Sequence, residues 1–381
     1  MNKLLKILWI VISNLRLYSQ LISKSIVRIR NLCANRITQS DMDTTYRAIQ
    51  AIAPGKLQAI DLPISQPPSG HVRVRIEACG VCHTDAVTVE GGFPGSTYPR
   101  VPGHEVVGRI YALGPGVEEW RVGQRVGIGF LGGHCGVCPR CRRGDFVNCE
   151  RQAVSGLHSD GGYAEIMIAK ANALAAIPDE LNSVEAAPLL CAGLTTFNAL
   201  RKAQAHAGDL VAIQGVGGLG HLAIQYAKHM GFKVAAIARG ADKRDLAMKL
   251  GAHHYVDSST QDPAAELQRL GGARIILATA ANSKSMSALV SGLGAQGELI
   301  IAGVGGDAPM EINAVPLIFG ERSIVGTLTG RSIDGEDTLA FSVLQGIRAM
   351  VETFPLAEAQ QAYRRMMNNE ARFRVVLVTG H

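Results

Sequence analysis

The chain has 381 residues, with 38 lysines and arginines against 32 aspartates and glutamates, for a formal net charge of +6. Residues 1–41 hold seven of the cations and one of the acids, so 31 of each sign remain over residues 42–381. No excess charge is spread over that larger part, which excludes a nucleic-acid-binding body; 47% apolar and 18% charged residues exclude a disordered chain.

The basic head comes first. Leu4, Leu8, Val11, Leu15, Tyr18, Ile22 and Ile26 recur at three- and four-residue spacing, the stripe of an amphipathic helix. Its longest apolar run, Ile7–Ile12, is far short of the roughly 20 residues that span a bilayer, so no membrane span is expected. Three readings stand: a helix lying on an anionic membrane surface, an organelle transit peptide, or a segment outside the functional protein, with translation starting at Met42. The last is the expectation, because a regular fold pattern begins directly after Met42.

From Tyr46 the pattern is one of short strands. Over His71–Cys79, Val72, Val74 and Ile76 alternate with Arg73, Arg75 and Glu77, which predicts a half-buried strand after the turn Ser65–Gly70. Glycine-rich segments interrupt residues 80–165 and predict loops and small strands rather than long helices. After about residue 185 strands alternate with helices: strands over Leu210–Gln214, Lys233–Ala238, His254–Val256, Arg274–Thr279 and Glu298–Val304, with a helix over His221–Met230. That alternation predicts a parallel sheet covered on both faces. The tail adds a predicted helix, Thr338–Thr353, and a last strand, Phe373–Val378.

Eight cysteines fall at 33, 79, 82, 135, 138, 141, 149 and 191. Cys135, Cys138, Cys141 and Cys149 form C-x2-C-x2-C-x7-C in a glycine-rich loop, a spacing that can close a tetrahedron of thiolates around a structural Zn2+. Disulfides and an iron–sulfur cluster are the alternatives. The body lacks secretory character, which also makes a cytoplasmic setting the expectation, and the spacing before the fourth cysteine fits a cluster poorly. Cys82, His104 and Cys191 are scattered; two thiolates and an imidazole leave a fourth zinc position for water or substrate, but their spacing alone is weak. Cys79 and Cys82 also read as a redox pair, although here the motif closes a strand instead of opening a helix.

Gly215-Val-Gly-Gly-Leu-Gly220 stands between an apolar strand and a helix, with a second apolar strand beyond. In that context G-x-G-x-x-G is a dinucleotide turn, its glycines allowing close backbone approach and its helix N-terminus receiving a pyrophosphate. At the end of the second strand, Ala238 stands where an acid that bonds the adenosine ribose is expected, and Arg239 follows. The missing carboxylate and the added guanidinium predict NADP preference; with Arg239 turned to solvent or stacked on adenine, NAD remains usable.

Taken together, Cys-Gly-Val-Cys-His-Thr-Asp (79–85), Pro-Gly-His-Glu (102–105), the four-cysteine loop, Asp-Gly-Gly-Tyr-Ala-Glu (160–165), Leu-Cys-Ala-Gly-Leu-Thr (190–195) and Gly-Val-Gly-Gly-Leu-Gly (215–220) resemble, in order, the zinc-dependent medium-chain alcohol dehydrogenases, especially their yeast-type and bacterial tetrameric branch. The resemblance covers roughly residues 43–381 and does not reach the head. It implies an α/β fold: a GroES-like, β-rich catalytic domain over residues 42–192 with a zinc lobe at 132–150, a Rossmann domain with a doubly wound parallel sheet over 193–327, and a return to the catalytic domain over 328–381.

The resemblance further implies two zinc ions per chain, one held by Cys82, His104 and Cys191 for catalysis and a structural one held by Cys135, Cys138, Cys141 and Cys149. Glu105 would lie behind the catalytic metal and Asp85 would orient His104, while Thr84 would hydrogen-bond the substrate hydroxyl. His83, Gly215, Gly217, Gly218, Leu219, Gly220, Arg239, Val304 and Arg374 would bind NADP or NAD, and Phe93 and Phe130 would line the substrate pocket. The implied reaction is hydride transfer between an alcohol and the nicotinamide, with zinc as Lewis acid. Many relatives end the proton relay with a histidine five residues after the first zinc cysteine; here that residue is Val87, so the proton is expected to leave by another route. An NADPH-driven aldehyde reductase shares every motif, and a non-catalytic dinucleotide sensor would share the fold without the chemistry. A small alcohol or aldehyde is the expected partner, and a homotetramer or homodimer the expected assembly.

Overall fold

The computed structural model describes residues 44–92, 96–303 and 309–380; the expectations for residues 1–41, Phe93 and Val304 fall outside them. From Arg47 onward the chain is built on two large sheets. The first is mostly antiparallel and ordered β14-β15-β3-β4-β5-β7, with β6 also paired to β3. Its centre is β3 (His71–Val81), flanked by β4 (Val106–Leu113), β6 (Ile166–Lys170) and β15 (Arg374–Val378). Val72, Val74 and Ile76 are fully buried while Arg75 and Glu77 are half-exposed, as predicted, but Arg73 is buried, its Nη1 donating to the Ser65 carbonyl at 3.0 Å; pairing with β15 carries the strand two residues past Cys79. β5 (Arg125–Ile128) and β7 (Leu174–Ala176) complete this side, and β1 (Thr45–Ala53) with β2 (Lys56–Pro63) forms a separate ribbon. Between residues 80 and 165 the described helices have only four residues each: α1 (Ala86–Val89) and α2 (Pro139–Arg142).

The second sheet is parallel throughout and ordered β10-β9-β8-β11-β12-β13. Its strands are β8 (Leu210–Gln214), β9 (Lys233–Ala238), β10 (His254–Asp257), β11 (Ala273–Ala278), β12 (Leu293–Ile301) and β13 (Ser323–Gly326). The order reverses between β8 and β11, the place where doubly wound sheets open a crevice at their carboxyl ends. β8 and β9 occupy the predicted residues, because each apolar run is closed by polar residues or glycine. β12 starts five residues before the predicted Glu298: its register against β11 slips between Ala273 and Ile275, and Gln296 adopts a φ of 53°.

After β13 the chain returns to the first sheet. The helix expected over Thr338–Thr353 instead runs from Ser332 to Gln345, following α3 (Ser183–Ala186), α4 (Ala192–Lys202), α5 (Gly220–His229), α6 (Arg244–Lys249), α7 (Pro263–Arg269), α8 (Ser283–Leu289) and α9 (Ala314–Gly320) as α10. Gly346, left-handed at φ 67°, ends it. Val351–Pro355 is then strand β14, parallel to β15, so the apolar residues past Gly346 belong to a sheet edge and not to a helical stripe. One apolar core joins the two sheets: Ala78, Val107 and Val376 from the first belong to the same buried cluster as Ile213, Val234 and Leu277 from the second. No helix among the described residues is long and apolar enough to cross a membrane.

Candidate active site

Three strand ends meet at one place. Register pairs Val81 with Val375 and Cys79 with Val106. Cys82 just past β3, His104 and Glu105 just before β4, and Arg374 opening β15 therefore face one another. Cys191 joins them as the residue preceding α4. One donor atom from each of Cys82, His104, Glu105 and Cys191 lies within 4.8 Å of all the others.

The electrostatics suit a cation. Asp85 Oδ1 stands 2.8 Å from His104 Nδ1, so Nδ1–H donates to the carboxylate and the lone pair of Nε2 is left facing the group. Nε2 is buried and has no partner among the described residues, as are Glu105 Oε2 and Arg374 Nε. Buried polar atoms are nearly always paired, so three orphans around one centre mark a place built to receive something. Cys82 and Cys191 Sγ are 3.9 Å apart. The hydrogen bond between them holds the Cys82 thiol well below its usual pKa and pushes Cys191 up. Burial alone would lower His104, but Asp85 and Cys82 raise it well above the usual imidazole range. That same negative field favours a divalent cation at the common centre. Burial pushes the Glu105 carboxyl up to about 7 against the pull of Arg374, whose Nη2 donates to Glu105 Oε1.

The second cluster is local. Cys135, Cys138, Cys141 and Cys149 bring their sulfurs within 4.8 Å of one another, none of them in a disulfide. Backbone N–H groups point at these sulfurs: Cys138 N at Cys135 Sγ (3.4 Å), Cys141 N at Cys138 Sγ (3.5 Å) and Cys135 N at Cys149 Sγ (3.4 Å). Backbone hydrogen bonds from Val137 and Cys138 bring Cys135 down to about 6, whereas burial pushes Cys141 up to about 12.

Between β8 and α5 lies the glycine turn. A Cβ on Gly220 would sit 1.7 Å from the Gly215 carbonyl oxygen, so only glycine fits that closure, while Gly217 faces open space. A Cβ on Gly218 would be 3.0 Å from Arg374 Nη1, which places the turn directly beside the strand-end cluster. Thr279 on the neighbouring strand end donates its hydroxyl to the Gln214 carbonyl at 2.7 Å and ties the end of β8 to that of β11.

The model of the alcohol dehydrogenase GroES-like domain matches residues 68–179, and that of the zinc-binding dehydrogenase matches 218–343. An alcohol dehydrogenase, patD, of Penicillium expansum is 42% identical over 317 residues, covering 83% of this chain and 92% of its own. The chain belongs to the zinc-dependent medium-chain alcohol dehydrogenases. An aldehyde reductase, AdhA, of Synechocystis is 32% identical over 88% of this chain and 98% of its own. Among solved structures, a cinnamyl alcohol dehydrogenase of Sorghum bicolor superposes with a TM-score of 0.80 at 28% identity, covering 88% of this chain and 97% of that one.

The remaining expected residues of this dehydrogenase that are described occupy turns and strand ends. Thr84 is half-buried in the 3-10 turn His83–Asp85, and its hydroxyl makes no hydrogen bond to a described residue. His83 is exposed at the start of that turn. The Phe130 ring meets the His104 ring edge-on at 5.5 Å and lines a small apolar cavity with Leu131, Leu190 and Leu194. Leu219 precedes α5, and Arg239 is exposed past β9 with no ion pair to a described carboxylate. Two features had no signal in the sequence. One is the Arg374–Glu105 pair, 269 residues apart; the other is Tyr163, whose hydroxyl donates to Asp85 at 2.9 Å. Tyr163 lies inside a recognised motif, but nothing in its spacing points to Asp85.

Proposed function

We propose that this alcohol dehydrogenase interconverts small alcohols and their aldehydes or ketones with a zinc ion held by Cys82, His104 and Cys191, and that it prefers NADP(H) over NAD(H). The observation that carries the reading is the convergence of two sulfurs and an unpartnered imidazole nitrogen within 4.8 Å, beside the glycine turn. Bound there, zinc supplies a Lewis acid that lowers the pKa of an alcohol, and a nicotinamide takes up or returns hydride.

The side chains divide the remaining work. Asp85 fixes the His104 tautomer so that Nε2 is the ligand atom. Glu105, tethered by Arg374, keeps an anionic group behind the cation position. Thr84 is assigned to hold the alcohol hydroxyl and pass its proton toward solvent along the side of exposed His83. Phe130 supplies an apolar wall. Gly215, Gly217, Gly218, Leu219 and Gly220 cradle the pyrophosphate at the start of α5, with Arg374 alongside. Cys135, Cys138, Cys141 and Cys149 would hold a second zinc that stiffens their loop.

Arg239 supports the NADP preference: it has no ion pair among the described residues and follows β9, where Ala238 carries no charge to repel a 2′-phosphate. NADPH-driven aldehyde reduction at the same site is the second reading, favoured by that arginine. The seven described cysteines are all free, which supports a reducing, cytoplasmic compartment. Val315, Ile318 and Phe319 of α9 are exposed next to edge strand β13, and this apolar face supports a homodimer or homotetramer.

Steady-state turnover of an alcohol and aldehyde panel with both cofactor pairs, with zinc content and light scattering on the same sample, tests the reading. Turnover, two zincs per chain and a dimer or tetramer are expected. Fewer than two zincs, or no turnover with any pair, overturns it. Ala238→Asp should lower the NADPH-to-NADH ratio of kcat/KM at least tenfold, about 1.4 kcal/mol; an unchanged ratio removes the specificity argument.

A further inference from the structure

We propose that Tyr163 is a positioning residue for the Cys82/His104/Cys191 site, fixing His104 from two sides: its hydroxyl acts through Asp85 and its ring acts on Gly103. The proposal rests on the reading of that site as a metal site.

The hydroxyl side starts from Asp85, which is 2% exposed. Among the described residues, no lysine or arginine pairs with Asp85. Its charge is held by three donors instead. His104 Nδ1–H reaches Oδ1 at 2.8 Å, the Cys82 backbone N–H reaches Oδ2 at 2.9 Å, and the Tyr163 hydroxyl reaches Oδ2 at 2.9 Å. Two of the donors belong to ligand residues, so the carboxylate ties the backbone of one ligand to the ring of another. Tyr163 is the only donor of the three from outside the ligand set. Without it Oδ2 keeps a single N–H in a buried setting. The carboxylate then turns toward whatever donor remains, and its hold on the imidazole loosens.

The ring side is steric. Tyr163 is fully buried, and a Cβ on Gly103 would stand 2.6 Å from Tyr163 Cδ1. Gly103 has a φ of +103°, a conformation that favours glycine, and it immediately precedes His104. The Tyr163 N–H donates to the Pro102 carbonyl at 2.9 Å and the Gly162 N–H to the Gly103 carbonyl at 3.1 Å. The peptide leading into His104 is thus clamped against Gly162 and Tyr163, while the phenol of Tyr163 donates to Asp85 Oδ2, whose other oxygen accepts from the imidazole Nδ1–H. A phenylalanine would keep the clamp and lose the hydroxyl, which separates the two contributions.

The test uses the full, zinc-loaded protein. Metal release to the chelator dipicolinate is followed for the unmutated chain, and the phase missing in Cys82→Ser is assigned to this site; the four-cysteine phase serves as internal control. Tyr163→Phe should speed the site's phase about tenfold, the lower end of what losing an outer hydrogen-bond partner of a metal ligand costs in affinity. The control phase should not change, and the ligand-field bands of the cobalt(II)-substituted protein should shift. In an Asp85→Asn background the added Tyr163→Phe change should have no further effect on release. Release at the unmutated rate with unchanged cobalt bands overturns the proposal, as do effects of Tyr163→Phe and Asp85→Asn that multiply. If Asp85→Asn does not fold, the release rate and cobalt bands of Tyr163→Phe decide alone. If Cys82→Ser loses no metal at all, it is the metal reading of the site that fails, an outcome distinct from an indifferent Tyr163.

Discussion

Cys135, Cys138, Cys141 and Cys149 come from fifteen consecutive residues, whereas Cys82, His104 and Cys191 are drawn from a stretch of 110. The first set is surrounded by backbone: N–H groups of its own loop point at the sulfurs. The second is surrounded by ionisable side chains, with Asp85 on the imidazole, Glu105 in the group itself and Arg374 on Glu105. A site made of one loop can hold an ion and stiffen that loop, but it has no outside groups with which to adjust charge. A site assembled from the ends of three strands and the start of a helix imports such groups, and its donors depend on the whole fold for their positions. The first arrangement suits structure and the second suits chemistry.

Cysteine-to-serine changes in the two clusters should therefore fail in different ways. Cys82→Ser should lower kcat/KM for alcohol oxidation by at least about 1000-fold, roughly 4 kcal/mol of transition-state stabilisation, with little change in Tm. Cys141→Ser should instead lower the stability by about 3 kcal/mol, read as a Tm drop of several degrees, while the fraction still folded keeps its kcat. Activity assays and thermal unfolding on the same two preparations check both. Loss of kcat in Cys141→Ser at unchanged Tm would erase the division between the clusters.

The same contrast explains what the sequence made legible. Four cysteines in one loop need no fold to meet, so their spacing alone identified them. β8 and β9 were legible to the residue because parallel strands buried on both faces read as unbroken apolar runs with sharp ends. The scattered ligands became visible only through resemblance, since their meeting depends on strand register. The Glu105–Arg374 pair exists because β15 lies on β3 with Val375 opposite Val81, and no local pattern carries that information. Tyr163 was hidden for the same reason, 78 residues from its Asp85 partner. The tail was misread where helix and strand periodicities look alike over a few apolar residues. Gly346 was the signal that could have ended the predicted helix on time.

Two buried histidines carry the comparison to its smallest expected effect. His104 faces a carboxylate and a thiol, and its pKa is raised in spite of burial. His221 is fully buried beside the Phe373 ring and near the Arg374 cation, and its hydrogen-bond partners are uncharged backbone: Nδ1–H donates to the Gly217 carbonyl at 2.9 Å, and Nε2 accepts from the Met350 N–H at 3.1 Å. With no anion beside it, burial pushes His221 down to about 4. The unfolded chain, with a histidine near 6.5, then binds more protons than the folded one between those two values. The stabilisation from keeping His221 neutral is complete above about pH 6.5 and is lost as the pH falls toward 4. Between pH 7 and pH 5 the unmutated protein should lose about 2 kcal/mol of unfolding free energy from this residue alone. His221→Gln has no such titration and should lose correspondingly less, so urea unfolding of both proteins should show their stability difference narrowing by that amount at pH 5. Equal losses in the two proteins would mean that His221 is not held as a neutral imidazole, and that burial without a facing anion does not set the sign that separates it from His104.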